Sequence, residues 1–421
     1  MRELRIIDYL FLYSLTSIWL LLLYNVFLTF YGYLYHREIS RNEINILRDM
    51  SYFPRVSILI PAHNEEKVIE KTLWAVLRLN YPEDKIQIIV INDLSSDLTG
   101  KIVERIRLEN EHRDFRVIHT NKENGGKGKP NALNIGFRYA SGEYIVVYDA
   151  DNTPESLSLR YLVNEIILHP KYGAVIGKFR TRNKERNLLT RFINIETINF
   201  QWMSQGGRWK LFGLCTIPGT NYIIHRDILH EIGGWDAEAI AEDTEISIRI
   251  YQLGYKIAFM PLAVTWEQEP ESFSVWRKQR LRWVKGNIYV VHKYILSPIS
   301  SKYKRIKLDI YYFFMVYFLF LSSIFISDGI FLLGIFTDIR VSLPGYFLII
   351  WILAYILFIL EVEISVAMEK GEAHTKNLGI IMLMYFTYCQ LWLYISLLGL
   401  GSYIKDIFLK REQQWYKTER F

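Results

Sequence analysis

The sequence predicts an α/β domain, with a doubly wound and mostly parallel sheet, inserted between transmembrane α-helices. Three observations predict it. Short β-branched runs alternate with helical patterns through the middle of the chain, long uncharged runs stand at both ends, and a basic stretch leads from the one into the other. The composition agrees, since 51% of the 421 residues are hydrophobic and only 22% are charged. That balance excludes a disordered chain and a small disulfide scaffold, and the apolar residues are too unevenly spread for a wholly soluble protein. Cys215 and Cys389 are too few for a disulfide framework or a Cys-rich zinc site, and read as free thiols in a reducing setting.

Tyr9–Tyr35 is a run of 27 residues without a charge. A helix of that length crosses a hydrocarbon core of roughly 30 Å with room to tilt. It is too long for the apolar core of a signal peptide and lacks a small-residue cleavage site, so an anchor is expected. Further uncharged runs cover Ile310–Ser327, Val341–Leu360 and Asn377–Ile404, with a shorter one, Gly329–Thr337, after Asp328. Between Arg277 and Lys307 lie ten Lys or Arg and no acid. A basic stretch entering a membrane span is explained by the positive-inside rule and anionic headgroups better than by nucleic acid, which is not an expected partner. The central domain is therefore expected in the cytoplasm of a multi-pass plasma-membrane protein, with the lipid bilayer as a partner. Asn287–Ile299 mixes apolar and basic residues and is expected to lie along the membrane surface. The passes after it number three or four, the fourth needing Gly329–Thr337 as one arm of a hairpin. An even number would put the basic tail inside.

In the central domain, Val56–Ile60, Ile86–Ile91, Arg116–His119 and Tyr144–Tyr148 read as buried strands. Glu66–Leu79, Ser96–Leu108 and Asn131–Tyr139 carry apolar residues at helical spacing between them. Such alternation specifies a parallel sheet with helices on both faces. Ligands then bind beyond the carboxyl ends of the strands.

Those ends carry acids and turn-formers: Pro61–Glu66 after the first strand, Asn92–Asp97 after the second, Asp149-Ala150-Asp151 after the fourth. Acidic clusters at one sheet edge repel unless a cation or donor-rich ligand sits among them. Two carboxylates one residue apart can share a hard divalent cation that also takes phosphate oxygens, although a D-x-D alone is as readily an N-cap and a turn acid. No Gly-rich dinucleotide fingerprint and no phosphate-binding loop of the Walker type is present.

Ser57–Glu66 (SILIPAHNEE), Val90–Thr99 (VINDLSSDLT), Gly128–Asn134 (GKPNALN), Asp149-Ala150-Asp151, Glu242-Asp243 and Gln279–Trp283 (QRLRW) occur in this order. Together they resemble family 2 glycosyltransferases of the GT-A fold. Nearest are the membrane-embedded processive synthases of the poly-N-acetylglucosamine, chitin-oligosaccharide and hyaluronan type. The resemblance covers the whole chain, and Q-x-x-R-W after E-D is its specific element.

It implies that Asp93 binds the uracil of a UDP-sugar donor, with Ala62, Asn64 and Glu65 in the turn beside it. Lys129 would contact the donor, Asp149 would lie by the nucleotide, and Asp151 with Asp149 would ligate Mg²⁺ or Mn²⁺ and the diphosphate. Asp243 would be the general base, with Glu242 beside it. Gln279, Arg282 and Trp283 would hold diphosphate and acceptor at the membrane face. Trp415, followed by Lys417, Thr418 and Arg420, is a loose counterpart of a gating motif. The chemistry is consistent: a diphosphate leaves without a general acid if a metal neutralises it, and a base must take the acceptor's proton. Each residue also has a plain alternative, Asp243 and Asp93 as helix caps, Trp283 as an interfacial aromatic and Arg282 as a positive-inside charge. Lys129 could simply solvate a loop, with Lys127 in its role. Pro130 stands where many relatives have alanine, and the large regulatory domain of cellulose synthases is missing.

The expected organisation is an anchor (1–35), a cytoplasmic GT-A domain (36–286), a basic interface segment (287–307), a membrane region (308–404) and a basic tail (405–421). The expected activity is inverting transfer of an N-acetylhexosamine or glucose to a growing β-linked polysaccharide, coupled to its export. Transfer to a lipid acceptor such as a polyprenyl phosphate or diacylglycerol is the alternative, and a non-catalytic channel subunit a second one. A small membrane or regulatory partner protein would leave no mark in the sequence.

Overall fold

The computed structural model describes residues 4–47, 50–295, 306–338, 340–343 and 345–409. The four expected runs form β1 (Val56–Ala62), β2 (Ile86–Asn92), β3 (Asp114–His119) and β4 (Tyr144–Val147), which pair in parallel in the order β3-β2-β1-β4. Helices Ile69–Leu77, Thr99–Glu109 and Lys129–Phe137 make the crossovers. Both sheet faces are covered, which is why the strands read as continuous apolar runs. Ile58, Ile60 and Val90 pack with Leu73 and Val76 on one side. Leu59, Ile89 and Ile91 pack with Ala132 and Leu133 on the other.

Four more strands extend the sheet: β5 (Thr153–Pro154), β6 (Tyr172–Thr181), β7 (Tyr222–His225) and β8 (Lys256–Glu267). The order is β3-β2-β1-β4-β7-β6-β8-β5, with β7 antiparallel to both neighbours and β5 antiparallel on β8. The sheet is therefore mixed but mostly parallel. Ala62 stands opposite Asn92 and Leu59 opposite Val147, so the acid-bearing ends of β1, β2 and β4 meet on one edge.

Among the described residues, four helices are long and apolar enough to cross a membrane: Ile6–Asn42, Phe318–Phe336, Phe347–Ala367 and Thr375–Phe408. Gly329–Thr337 is not the arm of a hairpin. Helical structure runs on from Ile306 through Asp328 to Phe336, because a single aspartate removes no backbone hydrogen bond and does not break a helix. The last segment is bent at Thr387 (φ −123°, ψ −78°), between helices Thr375–Phe386 and Tyr388–Phe408. The central part of the basic stretch, residues 296–305, lies outside the described residues, as do Trp415, Lys417, Thr418 and Arg420.

The apolar helices and the sheet domain pack through specific contacts. Helix Leu188–Asn199 continues as a π-helical turn, Phe200–Gly207, which lies on Ile6–Asn42. There Gly32 meets the Trp202 carbonyl and Gly207 the Leu28 carbonyl, with no room for a Cβ on either. The turn after Phe347–Ala367 puts Glu369, buried, against Lys178 of β6 (2.7 Å), Arg180 (3.1 Å) and the Trp202 indole N–H (3.1 Å). Helix Phe273–Ile295 runs beside Tyr388–Phe408, joined by a Lys285–Asp406 ion pair and by His292 to the Tyr403 hydroxyl (2.9 Å).

Candidate active site

A cavity of about 390 Å³ opens at the acid-bearing sheet edge. Of the residues expected to act, Ala62, Glu65, Asp93, Lys129, Asp149, Asp151, Glu242, Asp243, Gln279, Arg282 and Trp283 all line it. Asn64 does not. At φ +55°, its backbone N–H donates to Ser95 Oγ and its Oδ1 accepts from the Ser96 N–H, so it ties the β1 turn to the β2 turn. Asp93 accepts from Thr120 Oγ1 and the Gly126 N–H through Oδ1, both at 2.8 Å. Its Oδ2 takes no hydrogen bond among the described residues.

Lys129 opens helix Lys129–Phe137, with Pro130 in the first turn, where a missing N–H is harmless. That start aims its ammonium at the centre of the cavity. Nζ lies 2.5 Å from Asp149 Oδ1 and 3.7 Å from Glu242 Oε1, and donates to the Gly219 carbonyl at 2.8 Å. Burial works against its charge, but Asp149 and Glu242 outweigh it and raise its pKa.

Asp243 is the second residue of helix Glu242–Gln252, inside the first turn and not the N-cap, which is Ala241. Acids there are favoured by the helix dipole. Its Oδ1 accepts the Thr244 N–H at 2.6 Å, and its Oδ2 lies 3.1 Å from where a Cβ on Gly219 would sit. Burial pushes the Asp243 carboxyl up, while the Thr244 N–H, Lys129 and Arg282 pull it back. Glu242 is pushed up to about 7 by burial and by the Asp243 charge. Two neighbouring carboxyls that ionise with difficulty, both lining the cavity, are what a general base near neutral pH requires.

Helix Phe273–Ile295 supplies the far wall. Arg280, almost wholly buried, lies with its guanidinium 4.0 Å from the Trp283 ring and donates to Gln279 Oε1 (2.8 Å) and Glu196 Oε2 (2.7 Å). Glu196, Glu269, Arg280, Trp392, Gly219 and Thr220 line the cavity without having been expected there. Arg280 sits inside the Q-x-x-R-W pattern, and Pro218-Gly219-Thr220 is a turn signal in front of β7. Thr220 Oγ1 accepts the Asp149 N–H at 2.9 Å. Glu196 and Trp392 carry no local signal at all.

Nine carboxylates line the cavity against three permanent cations, Lys129, Arg280 and Arg282. Among the described residues, no three His, Cys, Asp or Glu side chains are arranged to hold an ion unaided. Mg²⁺ characteristically takes one or two carboxylates and completes its shell with substrate phosphates and water. Asp149 and Asp151 in an acid-rich cavity fit that mode.

The family description "Glycosyltransferase like family 2" matches residues 54–286. "Probable glycosyltransferase YdaM" of Bacillus subtilis (strain 168) is 50% identical over 413 residues, 98% of either chain. A poly-β-1,6-N-acetyl-D-glucosamine synthase of Staphylococcus epidermidis is 31% identical over 298 residues, 69% of either chain. A mannosyltransferase from Pyrobaculum calidifontis, solved with GDP-Man and Mn²⁺, covers 94% of this chain with a TM-score of 0.59 and shares its fold at 20% identity. With the strand order, the acid-bearing sheet edge and the ordered motifs, these likenesses make the chain a glycosyltransferase of family 2, with the GT-A fold.

Proposed function

We propose that the chain transfers a sugar, N-acetylhexosamine or glucose, from a UDP-sugar to a growing β-linked polysaccharide and passes the product across the membrane. The observation that carries this reading is the continuity of one cavity from Asp93 and Asp149, through Asp243, to Trp283 and to Trp392 on the last apolar helix. The 31% identity to a poly-β-1,6-N-acetyl-D-glucosamine synthase supports it. The basic stretch favours a cytoplasmic catalytic domain, residues 36–286, between the anchor 1–35 and the membrane region 308–404. The segment 287–307 would lie at the interface and 405–421 would form the tail.

In the proposed reaction Asp243 takes the proton from an acceptor hydroxyl as its oxygen bonds the anomeric carbon. The bond from that carbon to the diphosphate breaks on the opposite face, so the configuration inverts and an α-linked donor gives a β-linkage. Asp93 receives the uracil ring and Trp283 gives the acceptor sugar an apolar platform. Lys129 and Arg282 offset charge on the departing UDP, the guanidinium suiting a diphosphate better than an ammonium does. Asp149 and Asp151 would hold Mg²⁺ or Mn²⁺, which supplies further positive charge to the diphosphate.

The test is to incubate membranes containing the protein with Mg²⁺ and a panel of radiolabelled UDP-sugars, beside an Asp243→Asn variant, and to separate products by size. High-mass label from one donor, lost in the variant, is the expected result. Label confined to a small, organic-extractable species would make this a lipid glycosyltransferase instead.

A further inference from the structure

We infer that Trp392 and Glu196 form a second saccharide subsite beside Trp283, holding an uncharged β-linked acceptor chain on the side of the last apolar helix. The inference rests on the polysaccharide reading above and extends it to residues that none of the sequence motifs contain.

Three features carry it. Trp392, on helix Tyr388–Phe408, is half-buried and lines the cavity. Its ring centroid lies 5.7 Å from the Arg280 guanidinium carbon, which also stacks on Trp283 at 4.0 Å, so one fixed cation holds two indoles at the same end of the cavity. An indole face covers the apolar C–H face of a sugar ring while its edges stay available for polar contact.

Glu196 supplies a polar contact. Its Oε2 accepts from Arg280 Nη2 and from the Tyr388 hydroxyl, both at 2.7 Å, and the Trp276 N–H donates to Tyr388 Oη at 2.9 Å. Its Oε1 takes no hydrogen bond among the described residues, although the side chain, 22% exposed, lines the cavity. A counter-ion for Arg280 needs only the first oxygen. The second is placed to accept from a sugar hydroxyl or an acetamido N–H. Glu269, also on the cavity wall and buried, adds a second carboxylate near Arg280. Glu196 already balances the Arg280 charge, so Arg280 offers a phosphate or uronate no free cation and the subsite suits a neutral chain.

The experiment uses the full chain in lipid nanodiscs with UDP-N-acetylglucosamine and Mg²⁺, titrating a β-1,6-linked N-acetylglucosamine tetrasaccharide as acceptor and sizing the polymer. Trp392→Leu keeps apolar bulk but removes the platform. It is expected to raise the acceptor KM roughly five- to tenfold and to shorten the product, with the donor KM within about twofold of wild type. Trp392→Phe keeps a ring and should stay within about threefold in acceptor KM. Glu196→Gln should raise the acceptor KM without moving the donor KM. Should the Leu variant fail to fold, the Phe and Gln variants carry the same test. An acceptor KM and product length unchanged in Trp392→Leu and Glu196→Gln would overturn the subsite alone. So would a donor KM rising in parallel, which marks a disturbed cavity. A wild type that neither extends the tetrasaccharide nor makes polymer would overturn the proposed function, and the subsite with it.

Discussion

Replacing Gly219 by alanine separates backbone strain from damage to the proposed catalytic group, Asp243. Gly219 has φ +91°, and a Cβ there would lie 3.1 Å from Asp243 Oδ2 and 3.5 Å from Lys129 Nζ. Gly233 has φ +78° and nothing within 4 Å of its would-be Cβ. Both alanine variants force a residue with a Cβ into the left-handed region, at about 1–2 kcal/mol each. Both should therefore lose a few degrees of thermal midpoint. Only at Gly219 must Asp243 also give way, by a few tenths of an ångström. A misplacement of 1 Å in reacting geometry lowers rates by about 10²-fold, so a shift of this size is expected to lower kcat/KM roughly tenfold. The assay is the initial rate of UDP release from the UDP-sugar that supports product, with the thermal midpoint measured on the same preparations. Gly219→Ala as active as Gly233→Ala, at equal stability, would refute the placing of Asp243 at the reacting centre.

Other variants probe the remaining parts. Asp243→Asn keeps the shape but not the base, and transfer should fall by about 10²- to 10⁴-fold in radiolabel incorporation. Burial raises both carboxyls of the Glu242–Asp243 pair, and in the proposed reaction Asp243 acts only when deprotonated. Activity should consequently fall as pH drops through the raised Asp243 pKa, at a higher pH than an exposed aspartate would give. Glu242→Gln removes the carboxyl that the Asp243 charge pushes up to about 7; because Asp243 ionises first, the acid limb of kcat/KM should stay in place, and a limb that moves to lower pH would assign it to Glu242 instead. Glu369→Ala leaves Lys178 buried without its main counter-charge, a loss of about 3–5 kcal/mol that a thermal melt in detergent would register. A fragment ending at Ile295 lacks Glu369, Tyr388 and Trp392, and should melt well below the full chain and turn over donor far more slowly; equal stability of the two would contradict the packing described here.

The strand-end half of the site was legible because its residues are local in sequence. Ala62 ends a strand, Glu65, Asp93, Asp149 and Asp151 follow one within a few residues, and parallel pairing alone brings those ends together. Period and composition were enough to find β1 to β4. They were not enough for β6 and β8. Tyr172–Thr181 and Lys256–Glu267 carry Lys, Arg or Glu whose charges are met by partners far along the chain, as Lys178 is met by Glu369, so neither reads as a clean apolar run. Glu196 and Trp392 were invisible for a related reason. What makes each a cavity residue is a contact across more than 80 positions, Glu196 to Arg280 and Trp392 to Trp276 and Arg280. Asn64 shows the converse, since it sits within the motif yet its side chain braces the neighbouring turn.

The two halves of the site are thus held by different forces, and this bears on how the protein works. The end proposed for the donor rests on a sheet whose register is fixed by backbone hydrogen bonds and by a core buried on both faces. The end proposed for the acceptor rests on helix packing: Trp276, Arg280 and Trp283 on one helix, Glu196 on a second, and Tyr388 and Trp392 on a third that is apolar enough to enter a bilayer. A displacement of that third helix would act first on the Tyr388 hydrogen bond to Glu196, and through Glu196 on the stacking of Arg280 on Trp283, with no direct contact from these residues to the strand ends at Asp93 and Asp149. On the proposed reading, the acceptor side is the part of the site coupled to the membrane segment.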